Sequence, residues 1–152
     1  MSTTATARLP YHALAPKAYQ AMLDLSAAIK NGPLDVALID LVLLRVSQIN
    51  GCAYCVDLHW RDLIKQDAEP RRLNALVAWE ESPFFTDKER AVLRWTDIVT
   101  RTAGRDASDE EYARLRAQLG EEEIAQLGFA IGCMNAWNRL AIAFRQATPR
   151  HA

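Results

Sequence analysis

An all-α fold of six to seven helices is what this 152-residue chain predicts. Three observations point there. Apolar residues recur at the three-to-four spacing of an amphipathic helix along most of the chain. Helix start and stop signals punctuate it at short intervals. No stretch alternates with period two, as a half-buried strand would.

The elements follow in order. A first helix runs from Pro16 to Lys30 and stops at Asn31-Gly32-Pro33. A second follows Pro33 and carries Leu34, Ala37, Leu38, Leu41, Val42, Leu44, Arg45 and Ile49, an apolar stripe wide enough to be buried on most sides. It ends at Asn50-Gly51, residues that tolerate the left-handed backbone of a helix end. A third helix runs from Cys52 to Gln66. A short fourth opens at Pro70, a good first-turn residue, and reaches Trp79 before Ser82-Pro83 breaks it. Thr86 with Glu89 and Ser108 with Glu111 are capping-box patterns that open the fifth and sixth helices. The last helix spans Glu121 to Arg145 and is apolar around much of its circumference. That suits the centre of a bundle or a subunit interface. The acids of Asp109–Glu111 and Glu121–Glu123 sit in first turns, where the helix dipole favours them.

Length suggests one domain over residues 1–152, with 1–14 as an N-terminal arm and 147–152 as a frayed tail. Half of the residues are apolar and 24% are charged, as in an ordinary globular domain. The net charge of −1 lacks the basic excess that nucleic acid or an anionic membrane would attract. The start of the chain has no apolar core of the signal-peptide kind. No apolar run approaches the roughly 18 residues of a membrane span. These features predict a cytoplasmic address, where three cysteines read as chemistry or packing before structural disulfides.

The informative run is Ser47 to His59. It places Cys52-x-x-Cys55 at a helix start and His59 one turn further on. Thiols in an opening turn sit among unpaired backbone N–H groups that favour the thiolate. Cys55 and His59 are four apart and share a helix face, so the imidazole can take the thiol proton directly or through one water. Cys52 is close enough to resolve an oxidised Cys55 as a disulfide. The imidazole needs an orienting acid. Asp57 points away around the helix, whereas Asp40 fits if the chain reverses at Asn50-Gly51. Asp40 then lies about 15 Å down one helix and His59 about 12 Å down the other, a difference in level of about 3 Å. The expected relay is Asp40–His59–Cys55, with Cys52 as the partner thiol.

The run from Asp40 through Arg45 to Cys52-Ala53-Tyr54-Cys55 and His59 resembles the alkyl hydroperoxidase D-like branch of the carboxymuconolactone decarboxylase family. Trp79-Glu80-Glu81-Ser82-Pro83-Phe84-Phe85-Thr86 and Asn135-Ala136-Trp137-Asn138-Arg139 resemble it too. The resemblance implies an all-α domain built around the helical hairpin that carries Cys-x-x-Cys. It implies a homo-oligomer, trimeric or hexameric. It also implies peroxidase chemistry on a small hydroperoxide, with Cys55 attacking, Cys52 resolving, His59 as base and Asp40 at the family's Glu position. Two departures stand out. Asp40 is one methylene shorter than Glu, which leaves room for a water. Tyr54 stands where the peroxidase of the family has His. No flavin or nicotinamide fingerprint is visible, so no cofactor is assigned. The resemblance implies an external dithiol reductant, dihydrolipoyl or thioredoxin-like.

Two other chemistries use the same residues. A decarboxylase or isomerase acting on a small lactone or carboxylated ring would need His59 and Asp40 but not the thiols. A non-catalytic redox-sensing or metal-binding module would hold zinc or switch a disulfide without turnover. A closed zinc site needs a fourth ligand, and Cys133, His12 and His151 form no second pair, so no metal is assigned. Cys133 reads as a small buried hydrophobe, His12 as a surface residue and His151 as part of the tail. Trp60, Trp79, Trp95 and Trp137 read as core or interface anchors, one of which could line the thiol pocket. Asn135 and Asn138 on an apolar helix are expected to hold a neighbouring helix end or the hairpin turn.

Overall fold

The structure, a computed structural model, describes residues 7–150. These described residues form eight α-helices and one 3₁₀ turn: α1 (Tyr11–Leu14), α2 (Pro16–Lys30), α3 (Val36–Asn50), α4 (Ala53–Lys65), α5 (Pro70–Asn74), the 3₁₀ turn Ala75–Ala78, α6 (Asp87–Thr100), α7 (Asp109–Arg116) and α8 (Glu121–Ala143). The all-α expectation holds. The helix beyond the expected six or seven is α1, a single turn inside the N-terminal arm. The arm is held down there: the Arg8 backbone N–H donates to the Phe144 carbonyl at 2.9 Å, and the Arg8 side chain to the Ala143 carbonyl at 3.0 Å. His151 and residues 1–6 lie outside the described residues.

The centre of the fold is α3. Every residue from Leu38 to Ser47 is buried. The helix packs against α4, α8 and α6. Asp35 caps its start by accepting from the Ala37 N–H at 2.8 Å, and Gly51 ends it at φ 71°, a backbone setting that costs a side-chain-bearing residue about 1–2 kcal/mol. Each fully buried Leu, Ile or Val on α3 contributes on the order of 2 kcal/mol. The two buried charges on this side satisfy each other. Arg45 on α3 donates through Nε and Nη2 to the Asp97 carboxylate on α6, both at 2.7 Å, and Trp79 Nε1 adds a third donor at 3.3 Å.

The last helix is less central than its composition suggests. It covers α3, α2 and α6, yet Phe129 and Ile142 on it are exposed. Its start follows the expected acidic first turn, with Glu123 accepting from the Gly120 N–H at 2.9 Å. The Thr86–Glu89 capping box is complete, whereas the Ser108 box is half formed. Ser108 accepts from the Glu111 N–H, but the Glu111 carboxylate is drawn to Arg94 at 2.5 and 2.6 Å. Trp60 is exposed and not a core anchor; Trp79 is buried and Trp95 half-buried against Tyr112. No described helix is long and apolar enough to cross a membrane.

Candidate functional site

The hairpin forms as the spacing requires. After Gly51 the chain reverses, and Cys52 becomes the N-cap of α4, its sulfur accepting the Cys55 backbone N–H at 3.3 Å. Both thiols are buried and reduced, and each shifts the ionisation of the other. The Cys55 side chain, the Cys55 N–H and the side chain of Asn138 pull the Cys52 thiol down to about 7, against the opposing effect of burial. The Cys52 side chain, together with burial, pushes the Cys55 thiol up. The pair therefore gives up one proton easily and the second with difficulty, and the Cys55 N–H aimed at Cys52 Sγ favours the charge there. Residue type and helix position do not by themselves separate the two thiols; the N-cap geometry does.

Asn138 is fully buried, and it is the polar post behind the pair. It donates to Ser47 Oγ at 3.1 Å and accepts from Asn50 Nδ2 at 3.0 Å, while Asn50 also reaches Asn135 Oδ1 at 2.9 Å. The two asparagines of α8 thus hold the hairpin turn, as expected of them. Asn138 also lowers the pKa of both thiols, which its place far along the chain did not announce.

One turn after Cys55, His59 is buried with Nδ1 facing two carboxylates, Asp40 Oδ1 at 3.8 Å and Asp62 Oδ2 at 3.9 Å. Burial holds its pKa down to about 4, against the opposing pull of Asp40. The ring is therefore neutral at pH 7. Carboxylates only accept, so the proton belongs on Nδ1, and Nε2 is left bare as a base. Asp40 meets His59 at about the predicted level, but the contact is too long for a hydrogen bond. The reason is competition. Lys30 Nζ lies 2.8 Å from Asp40 Oδ1, and Gln66 Nε2 donates to Oδ2 at 2.7 Å. Lys30 and Gln66 were not foreseen, and neither was Asp62. Asp57 points elsewhere, as expected, and pairs with Arg61 at 2.9 Å.

Asp40, His59 and Asp62 place ligand-type atoms within 4.8 Å of one another. A cation already stands among them: Lys30 Nζ is 2.8 Å from Asp40 and 3.8 Å from Asp62. The donor set is thus balanced by the chain's own ammonium.

A cavity of about 490 Å³ opens onto these groups. Cys55, His59, Lys30 and Asp62 line it, and Cys52 does not. Tyr54, at the position before Cys55, lines it too, as does Trp137. Cys133 is buried in the core as expected, with its sulfur 3.6 Å from Ser26 Oγ, and also borders this space. His12 is exposed and stands at the rim.

Residues 16–97 match the carboxymuconolactone decarboxylase family. The chain belongs to that family. The uncharacterized protein YdfG of Bacillus subtilis is 34% identical over 136 residues, which cover 90% of this chain and 92% of that protein. A crystal structure of ATU0492 from Agrobacterium tumefaciens, a protein of unknown function for which an AhpD antioxidant-defence role has been suggested, superposes with a TM-score of 0.93. It is 38% identical and is covered in full by 96% of this chain. An uncharacterized peroxidase-related protein of Silicibacter shares the fold at 20% identity, with a TM-score of 0.82 over 91% of this chain and 74% of that one. Within the carboxymuconolactone decarboxylase family, this chain carries a reduced Cys-x-x-Cys pair beside a buried histidine and two acids.

Proposed function

We propose that the protein is a thiol peroxidase-like oxidoreductase that reduces hydroperoxides through a Cys52–Cys55 disulfide. The observation that carries this reading is a pair of free thiols at a helix start, with the Cys55 N–H on Cys52 Sγ at 3.3 Å and, of the two, only Cys55 facing the cavity.

The geometry supports the following sequence. The pair loses its first proton, and the charge settles on Cys52. A hydroperoxide enters, and Cys55 sulfur attacks its distal oxygen while the Cys55 proton passes to Cys52. The O–O bond breaks, Cys55 becomes a sulfenic acid, and the alkoxide takes the Cys52 proton to leave as alcohol. Cys52 thiolate then attacks the Cys55 sulfur and displaces hydroxide, which is protonated to water. The net change is two thiols and one hydroperoxide to one disulfide, one alcohol and one water. An external dithiol, dihydrolipoyl or thioredoxin-like, restores the thiols by exchange. Neutral His59, its Nδ1 turned toward Asp40 and Asp62, accepts and returns protons at the cavity wall. Exposed Phe129 and Ile142 on α8 are suited to cover by another copy in a homo-oligomer.

The test is thiol counting before and after one equivalent of organic hydroperoxide. Rapid loss of two thiols per chain with a mapped Cys52–Cys55 disulfide is expected. Thiols that oxidise no faster than free cysteine would overturn the reading.

A further inference from the structure

The walls of the cavity identify what kind of molecule it is built for. One side is a run of rings. Tyr11 and Tyr19 meet edge to face with centroids 6.1 Å apart, and Tyr19 meets Trp137 in the same way at 5.5 Å. Tyr54 joins them beside Cys55, and Leu23, Leu43, Leu58 and Met134 complete an apolar lining. The ring wall is anchored. Trp137 Nε1 donates to Ser26 Oγ at 3.0 Å, and Tyr11 stacks on Phe144 at 5.3 Å where Arg8 ties the arm to the end of α8.

Charge narrows the choice. Among the described residues, Lys30 is the only lysine or arginine lining the cavity, and its ammonium is taken by Asp40 at 2.8 Å and approached by Asp62 at 3.8 Å. Two carboxylates face one ammonium and a neutral imidazole. His12 stands exposed at the rim. An anionic head group entering toward Cys55 finds no free cation and meets an excess negative charge. Hydrogen peroxide would leave most of about 490 Å³ unfilled and the rings without a partner.

We infer that the substrate is an uncharged hydroperoxide carrying an aryl group near the peroxide carbon, its ring seated among Tyr11, Tyr19, Tyr54 and Trp137 and its distal oxygen at Cys55. The inference rests on the peroxidase reading and specifies its substrate class. The chemistry is unchanged: the two thiols supply two electrons, and the products are the aryl-bearing alcohol and water. Aromatic pairing in a desolvated pocket gives the aryl substrate an advantage that a purely aliphatic one of similar reactivity lacks.

The experiment compares second-order rates of thiol loss with cumene hydroperoxide, tert-butyl hydroperoxide, hydrogen peroxide and a fatty-acid hydroperoxide anion. Each is normalised to its rate with free dithiothreitol. A normalised preference of about tenfold or more for cumene hydroperoxide over tert-butyl hydroperoxide is expected. Tyr19→Leu, which keeps an apolar side chain on an intact helix, should erase most of that preference, and Trp137→Phe should retain part of it. A preference no greater than that of dithiothreitol, or a fatty-acid anion as the fastest substrate, overturns the aryl class while leaving the peroxidase reading standing. Binding of the product 2-phenyl-2-propanol, read by tryptophan fluorescence, separates the two. Saturable binding with no peroxide reaction supports the aryl pocket and overturns the peroxidase reading.

Discussion

The backbone N–H of Cys55 points at the sulfur of Cys52, 3.3 Å away, so the residue that lowers the Cys52 pKa is the other half of the Cys-x-x-Cys pair. Because ionising one thiol of the pair opposes ionising the other, one ionisation should appear near pH 7, and the second should lie above the ordinary thiol range. Thiolate absorbance in the ultraviolet should show one thiolate forming with a midpoint near 7 in the wild type. In Cys55→Ala the midpoint should move up, because the Cys55 side chain that lowers the Cys52 pKa is gone.

Asn138 should matter to both folding and reactivity. Asn138→Ala leaves Ser47 and Asn50 short of partners and removes a group that lowers the pKa of both thiols. A loss of about 1–3 kcal/mol in denaturant unfolding is expected. The first thiol midpoint should rise at the same time, which a purely structural role would not produce.

His59 links stability to acid. Its pKa is about 4 in the folded chain against 6.5 for a free imidazole, so between those values the unfolded chain binds the proton and the folded chain does not. This contribution is fully present above about pH 6.5 and is lost as pH falls toward 4, on the order of 3 kcal/mol across the window. Unfolding free energy measured against pH, with His59→Gln as the control, should show that slope vanish in the variant. Lys30→Met should raise the His59 pKa, because the ammonium that opposes its protonation is gone and Asp40 and Asp62 remain. Histidine ring proton shifts followed against pH check this directly.

Gly32 holds a packing position beside Pro33. A side chain there would run into the amide of Gln126, which donates to the Ile29 carbonyl and accepts from the Leu34 N–H at 2.6 Å. Those bonds tie the α2–α3 corner to α8. Gly32→Ala should cost about 1–3 kcal/mol in thermal or denaturant unfolding, with the thiol midpoint unchanged. The Arg45–Asp97 pair sets a larger scale: Asp97→Ala strands a buried guanidinium and should cost about 3–5 kcal/mol.

The hairpin and its reach were legible in the sequence because they are local. Asn50-Gly51 states where the chain turns, and the helical rise then brings Asp40 and His59 to one level. The helix of Leu38 to Ser47 was legible as a buried one because seven of its ten residues are apolar and they cover most of its circumference. The partners that set the chemistry were not, for a physical reason. Lys30 comes from α2, Gln66 from the end of α4 and Asn138 from α8, and only tertiary packing brings them together. Asp62 is local, three residues after His59 on the same face, and that spacing could have marked it as a second acid. The ranking of the two thiols needed the N-cap geometry, which spacing alone leaves open.

The central claim is that Cys55 receives the oxygen while Cys52 holds the charge and then resolves it. Dimedone trapping of sulfenic acid after one equivalent of cumene hydroperoxide, with peptide mapping, tests it most directly. Cys52→Ser should accumulate the adduct on Cys55, Cys55→Ser should yield none, and the wild type should yield a Cys52–Cys55 disulfide instead. An adduct on Cys52 in Cys55→Ser, or none on Cys55 in Cys52→Ser, would contradict the account.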